Sequence, residues 1–339
     1  MKKEQGFSAV ETLISTAITL VVLAWALSSF NDSLGANEQA TQIADLEQNL
    51  RAGVNLLVSD LITAGWSIPI GGIPIPSGAG VDPVVRPGPS TGTLNFNTLT
   101  ISAVNPGPLL GPTWNGHHTD IVNILYADNT EFAHPLNDHP LVSLTANGSV
   151  ATVSEQTPID EMDHPIRIGD LISLSNARGS TLQYVTDVSE QSITFGIDDP
   201  MNLNQPNAPA GSITQIGNGD GTFPATTATR VYLVTYYLDF TEDPETPRLI
   251  RRINNDPGRT VALILENLQL SYDLVDGVNN PTAVKEAVDP YSPSQIRKAN
   301  ILISGRSSAE NRHNGEYLRK SLTTQVSLRS LSYIDRYSQ

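Results

Sequence analysis

One acidic residue stands at the edge of a long uncharged apolar run near the start of the sequence. Glu11 is followed by Thr12–Phe30, a segment without a charged side chain and rich in Leu, Ile and Val. A carboxylate in a membrane-spanning segment costs about 2.5–3.5 kcal/mol on insertion scales, so such residues are usually retained for a function. Glu11 is therefore the first candidate functional residue, and the chemistry open to it is the neutralisation of a positive charge at low dielectric.

The apolar run has the length of a membrane span. A helix of about 20 residues rises about 30 Å, which matches the hydrocarbon core of a bilayer. Lys2 and Lys3 precede the run and predict that this end stays cytoplasmic while the remainder is exported. A cleavable secretory signal peptide is the competing interpretation, but such a peptide has no use for Glu11. The small residues that could imitate its cleavage site are Ala24, Ala26, Ser28 and Ser29.

The segment around Glu11 resembles the class III signal of type IV prepilins and of the pseudopilins of type II secretion systems. It reads Gly6-Phe7-Ser8-Ala9-Val10-Glu11-Thr12-Leu13-Ile14. The resemblance implies that a prepilin peptidase cuts between Gly6 and Phe7, that Phe7 is N-methylated, and that Glu11 serves subunit assembly. Ser28 stands where many major pilins have a helix-kinking proline, which disfavours a major pilin.

The resemblance supplies a charge for Glu11 to neutralise. Cleavage would create a positive α-amino group at Phe7, and Glu11 of a neighbouring subunit could pair with it if the two helices are displaced axially. At an effective dielectric near 20, a close ion pair has a Coulomb energy of about 4 kcal/mol. Such a pair would favour assembly and set the register between subunits. The alternative is that Glu11 reaches towards interfacial water from its own helix.

After Phe30 the sequence becomes amphipathic without a break, and the helix is expected to run from about Phe7 to Ala64. Gly65 is the expected C-terminal stop, with Pro69 beyond it. The charged residues are expected mostly off the apolar stripe: Glu38, Asp45, Glu47, Arg51 and Asp60. The stripe, expected to pack against a sheet, consists of Ile43, Leu46, Leu50, Leu57 and Leu61.

The remainder, residues 66–339, is predicted to be a β-rich head, which makes the fold class α+β and pilin-like. Residues 66–229 are expected to form a loop-rich insertion, and residues 230–339 a C-terminal sheet. The strands expected within the insertion are Leu94–Val104, Asp120–Tyr126, Ser149–Ser154, Asp170–Ser175, Leu182–Val188 and Ser192–Ile197. The predicted domains are a leader (1–6), a transmembrane half-helix (7–30), an amphipathic half-helix (31–65) and the head. The strands expected in the C-terminal part, whose order resembles that of PilW-type minor pilins, are Arg230–Phe240, Arg248–Ile253, Val261–Val275, Arg297–Ser304 and Leu318–Leu331.

Other residue types that could perform chemistry do not form a recognisable site in the sequence. The chain has no cysteine, which excludes thiol catalysis and thiolate metal sites. Asn218-Gly219-Asp220-Gly221 resembles part of a calcium-binding loop but lacks its leading acid and bidentate glutamate, so a turn is favoured over an irregular calcium site. No metal, cofactor or catalytic constellation is expected. The histidines lack zinc-site spacing and are His117, His118, His134, His139, His164 and His313.

Charge limits the class of partner. The net charge is −15, although residues 284–339 carry nine basic and five acidic side chains. An acidic body disfavours nucleic acid as the main partner. The expected partners are other major and minor pilins or pseudopilins, the prepilin peptidase, an inner-membrane assembly platform and membrane lipid.

These observations predict a structural protein rather than an enzyme. The expected role is that of a minor pilin-like subunit in type IV pilus priming or tip formation. It would be a single-pass inner-membrane protein with a periplasmic head before assembly, and a pilus or cell-surface component afterwards. The alternatives are a minor pseudopilin of a type II secretion system and a pilus-borne adhesin or ligand-binding module.

Overall fold

The computed structural model describes residues 8–89, 92–128, 141–153, 159, 165–287, 290–311 and 315–328. It contains one long helix, α1 (Ala9–Thr63), followed by a head made of strands, so the predicted α+β class is confirmed. Contacts divide the chain into two compact units. One comprises Met1–Gln48 and Arg306–Lys320, and the other comprises Asn49–Gly305 and Ser321–Gln339.

Helix α1 is continuous over 55 residues because its sequence holds no proline and changes from apolar to amphipathic without a break. It ends one residue before the predicted end. Gly65 follows with φ of +79°, the left-handed conformation that commonly terminates helices, and its N–H donates to the carbonyl of Leu125 at 2.9 Å. Gly65, which the sequence predicts as the C-terminal end of the helix, therefore lies where the helix meets the head.

The strands of the head are short in the first part of the chain and longer towards the C-terminus. In chain order they are β1 (Ile73–Pro74), β2 (Val85–Arg86), β3 (Leu94–Asn95), β4 (Thr100–Ile101), β5 (Val104–Gly107), β6 (Thr113–Trp114), β7 (His117–His118), β8 (Ile121–Ala127), β9 (Leu141–Leu144), β10 (Val150–Thr152), β11 (Leu171–Asn176), β12 (Gly179–Tyr184), β13 (Asp187–Val188), β14 (Ser192–Thr194), β15 (Thr226–Asp239), β16 (Arg248–Ile253), β17 (Arg259–Leu263), β18 (Leu265–Leu274), β19 (Ile296–Glu310) and β20 (Tyr317–Ser327).

The largest sheet has 11 strands and is organised around β15. This 14-residue strand is rich in β-branched and aromatic residues and has two antiparallel neighbours in succession on each side. Its first residues pair with β11 and β9, and its later residues pair with β16 and β8. Strands from before and after residue 230 therefore share one sheet.

A second sheet contains three strands in the order β18-β19-β20. The sequence suggested one strand over Val261–Val275, but the structure has two, because Ile264 adopts φ of +57° between β17 and β18. A β-branched residue rarely takes this conformation, and here it moves the chain from one sheet to the other. The strand expected near Leu94–Val104 is likewise divided, into the two-residue strands β3 and β4 and the start of β5.

Residues 49–63 of α1 pack against the head along their apolar side. Leu50, Leu57 and Leu61 are each no more than 1% exposed. Gly53 faces the sheets so closely that a Cβ atom added there would lie 3.0 Å from Leu249 Cδ2 and 3.2 Å from Ala262 Cβ. The glycine therefore allows the helix backbone to approach β16 and β17 directly.

Candidate assembly helix

The predicted processing site and the assembly acid lie at the N-terminal end of the chain. Gly6 and Phe7 fall outside the described residues. Glu11 lies in the first turn of α1 with an exposed side chain. Its Oε2 accepts a hydrogen bond from the backbone N–H of Ser8 at 3.0 Å, and the Ser8 hydroxyl accepts one from the N–H of Val10 at 3.3 Å.

This arrangement gives Glu11 a local role that the sequence-based reasoning missed. A serine followed three residues later by a glutamate is the pattern of a capping box, which satisfies backbone N–H groups at the start of a helix. The pattern Ser8-Ala9-Val10-Glu11 is readable from the sequence alone. Glu11 is therefore able both to cap its own helix and to present a carboxylate beyond it, and an experiment has to separate these two roles.

The N-terminal part of α1 exposes its apolar side chains on all sides. The most apolar 18-residue window has a mean hydropathy of 2.0 and none of it is buried. Trp25, for example, is 78% exposed. By length and composition, α1 is able to cross a membrane, and this single N-terminal apolar helix is compatible with membrane anchoring.

The five stripe residues differ in burial. Leu46 is 4% exposed, and Leu50, Leu57 and Leu61 are buried more completely, whereas Ile43 is 38% exposed. Glu47, one residue after Leu46, forms an ion pair with Lys320 on β20. The stripe thus becomes more buried towards the C-terminal end of α1.

Asp60 is the main departure from the sequence-based expectation, which placed it off the apolar stripe. The residue is only 7% exposed. Its two carboxylate oxygens accept hydrogen bonds from the Tyr126 hydroxyl at 3.0 Å, the Tyr236 hydroxyl at 2.5 Å, and Arg251 Nε and Nη2 at 2.7 and 3.0 Å. A charged residue is tolerated here because each of its oxygens is paired.

The donors to Asp60 come from three neighbouring strands, β8, β15 and β16. Tyr236 and Arg251 are direct cross-strand partners, so the sheet register places them side by side. Burial and the charge of Asp60 raise the pKa of both tyrosines, which therefore stay protonated as donors. Burial alone would lower the pKa of Arg251, but its hydrogen bonds to Asp60 and the charge of that residue outweigh burial and raise it. The network is thus an ion pair supported by two neutral hydroxyls.

The other residues considered as sites are placed on the surface or outside the described part of the chain. His117 and His118 form the exposed strand β7, and His118 Nδ1 lies 3.0 Å from Thr113 Oγ1. The remaining histidines, His134, His139, His164 and His313, lie outside the described residues. Within the described residues, no group of three or more metal-binding side chains is present.

Asn218-Gly219-Asp220-Gly221 forms a turn. Asp220 Oδ1 accepts hydrogen bonds from the N–H of Thr222 at 2.9 Å and from its hydroxyl at 2.5 Å. These donors hold the pKa of the Asp220 carboxyl below its ordinary value. The carboxylate therefore stabilises the loop itself, as expected for a turn.

Comparisons with protein-family models, curated proteins and solved structures returned no match to this chain. The structural class of the protein is therefore inferred from the organisation of the chain itself. One long N-terminal apolar helix joined to a β-rich head is the arrangement seen in pilin-like proteins. The main features of α1 are its exposed apolar part, the acid in its first turn, and the polar contacts near its end.

Proposed function

We propose that this protein is a minor pilin-like structural subunit that is processed by a prepilin peptidase and takes part in type IV pilus priming or tip formation. The observation that carries the proposal is the exposed apolar segment of α1 with Glu11 in its first turn. An apolar surface of this extent is covered either by lipid or by other helices. Both environments are expected in turn, first in the inner membrane and then among other pilin subunits.

The expected mechanism uses one charge pair. After cleavage between Gly6 and Phe7, the methylated α-amino group of one subunit is neutralised by Glu11 of a neighbour. The head, held by the last turns of α1, is carried to the pilus or cell surface. Its 11-stranded sheet and long loops make it larger than a repeating shaft subunit needs, which favours a minor subunit.

The test separates the charge of Glu11 from its capping role. Glu11→Gln removes the charge but keeps a side chain that can complete a capping box, whereas Glu11→Ala removes both. We expect both variants to be cleaved normally and both to fail to enter pili, measured by immunoblots of sheared pili against whole cells. Asp32→Ala, an exposed acid on the same helix, serves as the matched control and should assemble normally.

Piliation by Glu11→Gln at wild-type level would refute the charge-pairing role. In that case the failure of Glu11→Ala would be attributed to helix capping. A separate experiment measures twitching motility and type II secretion in a strain from which the gene is deleted, and the activity that is lost distinguishes a pilus subunit from a pseudopilin.

A further inference from the structure

A buried arginine in the head has only neutral hydrogen-bond partners. Arg86 on β2 is 5% exposed. Its Nε donates to Asn123 Oδ1 at 2.6 Å, and its Nη2 donates to the carbonyl of Asn105 at 2.8 Å. Within the described ranges, no carboxylate forms an ion pair with this guanidinium. A buried charge without a counterion is unfavourable, so Arg86 favours the approach of a negative charge.

The surrounding strands hold the guanidinium in one place. A Cβ atom added to Gly107 on β5 would lie 2.6 Å from Arg86 Nη2, so the glycine provides the space that this group occupies. The ring centroid of Phe96 lies 5.4 Å from Arg86 Cζ. Burial lowers the pKa of Arg86 to about 10, and the exposed Glu286 opposes this effect. The remaining nitrogen, Nη1, donates to no described residue and is not completely enclosed by the protein.

A buried tyrosine near Arg86 has a hydroxyl available to donate. Tyr272 on β18 is 1% exposed, and its hydroxyl has no hydrogen-bond partner among the residues that the structure describes. Burial and the charge of Asp120 raise the pKa of Tyr272, whereas the charge of Arg86 acts in the opposite direction. Arg86 and Tyr272 are thus close enough to influence each other, and the hydroxyl stays protonated at neutral pH.

The acid that acts on this tyrosine already has partners of its own. Asp120 is 2% exposed. Its Oδ1 accepts the N–H of Leu109 at 2.9 Å, and its Oδ2 accepts the N–H of Leu270 at 2.7 Å. The same Oδ2 also accepts a hydrogen bond from Lys285 Nζ at 3.1 Å. Because Lys285 offsets the charge of Asp120, the positive charge of Arg86 is left without local compensation.

The donors at this position favour an anion over a water molecule. A guanidinium has donors only, and the Tyr272 hydroxyl has a hydrogen to donate. A water molecule that accepted from both groups would need further acceptors for its own two hydrogens. An anion accepts from both groups, needs no acceptor, and forms a charge-assisted hydrogen bond with the arginine.

We propose that Arg86 and Tyr272 form a binding site in the head for one small monovalent anion such as chloride. Arg86 Nη1 and the Tyr272 hydroxyl donate to the anion, which supplies the counter-charge for the buried guanidinium. Binding stabilises the folded head, because the unfolded chain does not hold the two donors together. The site concerns the head alone and does not depend on assembly into pili.

Thermal unfolding of the full-length chain in detergent tests the site. Sodium chloride is exchanged for sodium gluconate at constant ionic strength, since gluconate is a bulky anion that a buried site would exclude. We expect the melting temperature to rise by about 2–4 °C for each tenfold increase in chloride above its dissociation constant. A melting temperature that does not depend on chloride would overturn the proposal.

Two substitutions assign the response to these side chains. Arg86→Met removes the charge and should abolish the chloride dependence; an unchanged response in this variant would refute the site. Tyr272→Phe removes one donor and should require about tenfold more chloride for the same rise in melting temperature. In gluconate, Tyr272→Phe should melt no lower than the parent, because the hydroxyl that it removes has no partner in the described part of the protein. In chloride it should melt at a lower temperature than the parent.

Arg248→Met is the matched control. Arg248 on β16 has acidic partners in Asp239 and Glu242, so its removal should leave the chloride response intact. Loss of the response in this control would show that chloride acts through the overall charge of the head, which would also overturn the proposal. If Arg86→Met does not fold, Tyr272→Phe decides, and a chloride response equal to that of the parent would refute the site.

Discussion

Gly53 offers a quantitative test of how closely α1 approaches the head. Its backbone faces Leu249, Ala262 and Ile303, which are all at most 2% exposed. Gly53→Ala gains about 1 kcal/mol of helix propensity. Against this gain stands a new contact at 3.0 Å with Leu249 Cδ2, the end of a flexible side chain. The two effects nearly cancel, so the alanine variant should unfold within about 2 °C of the parent.

Gly53→Leu gains a similar helix propensity but inserts three further carbon atoms where there is no space. Overpacking of a well-packed core costs about 1–3 kcal/mol or more, and a position against two sheets belongs at the upper end. The net loss is then about 2 kcal/mol. For a domain of this size, that corresponds to a melting temperature lower by roughly 4–8 °C.

The assay is thermal unfolding of the full-length chain in detergent, followed by circular dichroism of the β-rich head. Ala52→Leu is the matched control, since Ala52 is the exposed neighbour of Gly53 on the same helix. It should leave the melting temperature unchanged. If Gly53→Leu is as stable as Gly53→Ala, the close approach of α1 to β16 and β17 is wrong.

Further predictions concern the buried network and one loop. Asp60→Ala should lower the free energy of unfolding in a denaturant titration by about 3 kcal/mol, because it leaves the half-buried Arg251 and the hydroxyls of Tyr126 and Tyr236 without their partner; a loss below about 1 kcal/mol would contradict the network. Tyr236→Phe should lose about 1.5–3 kcal/mol, the range for a hydrogen bond to a charged group. Backbone N–H groups, that of Asn280 first, hold the pKa of Asp276 below its ordinary 3.8. The stabilisation of this loop is therefore present above pH 3.8 and lost as the pH falls through the lower folded value, and an NMR titration of the Asn280 amide should report a midpoint below 3.8.

Sequence patterns predicted those helices and strands that depend mainly on residues close together in the chain. The uncharged run, the amphipathic spacing that follows and Gly65 predicted one helix that ends within a residue of its observed C-terminus. The β-branched and aromatic content around Tyr232–Tyr237 predicted β15, and Arg248–Ile253 was predicted with the bounds of β16. The capping box at Ser8 and Glu11 was also readable, since its two residues are three positions apart.

The sequence by itself thus determined the long helix, its apolar and amphipathic halves, the position of the candidate assembly acid and the β-rich character of the head. The tertiary structure alone decided how these parts meet. Asp60 is charged and was expected away from the apolar stripe, yet donors from three strands converge on it. Asn49 and Leu263, which bind each other, are more than 200 residues apart. The physical reason is that a buried polar group is specified by distant partners, whereas a helix is specified by neighbours within one or two turns.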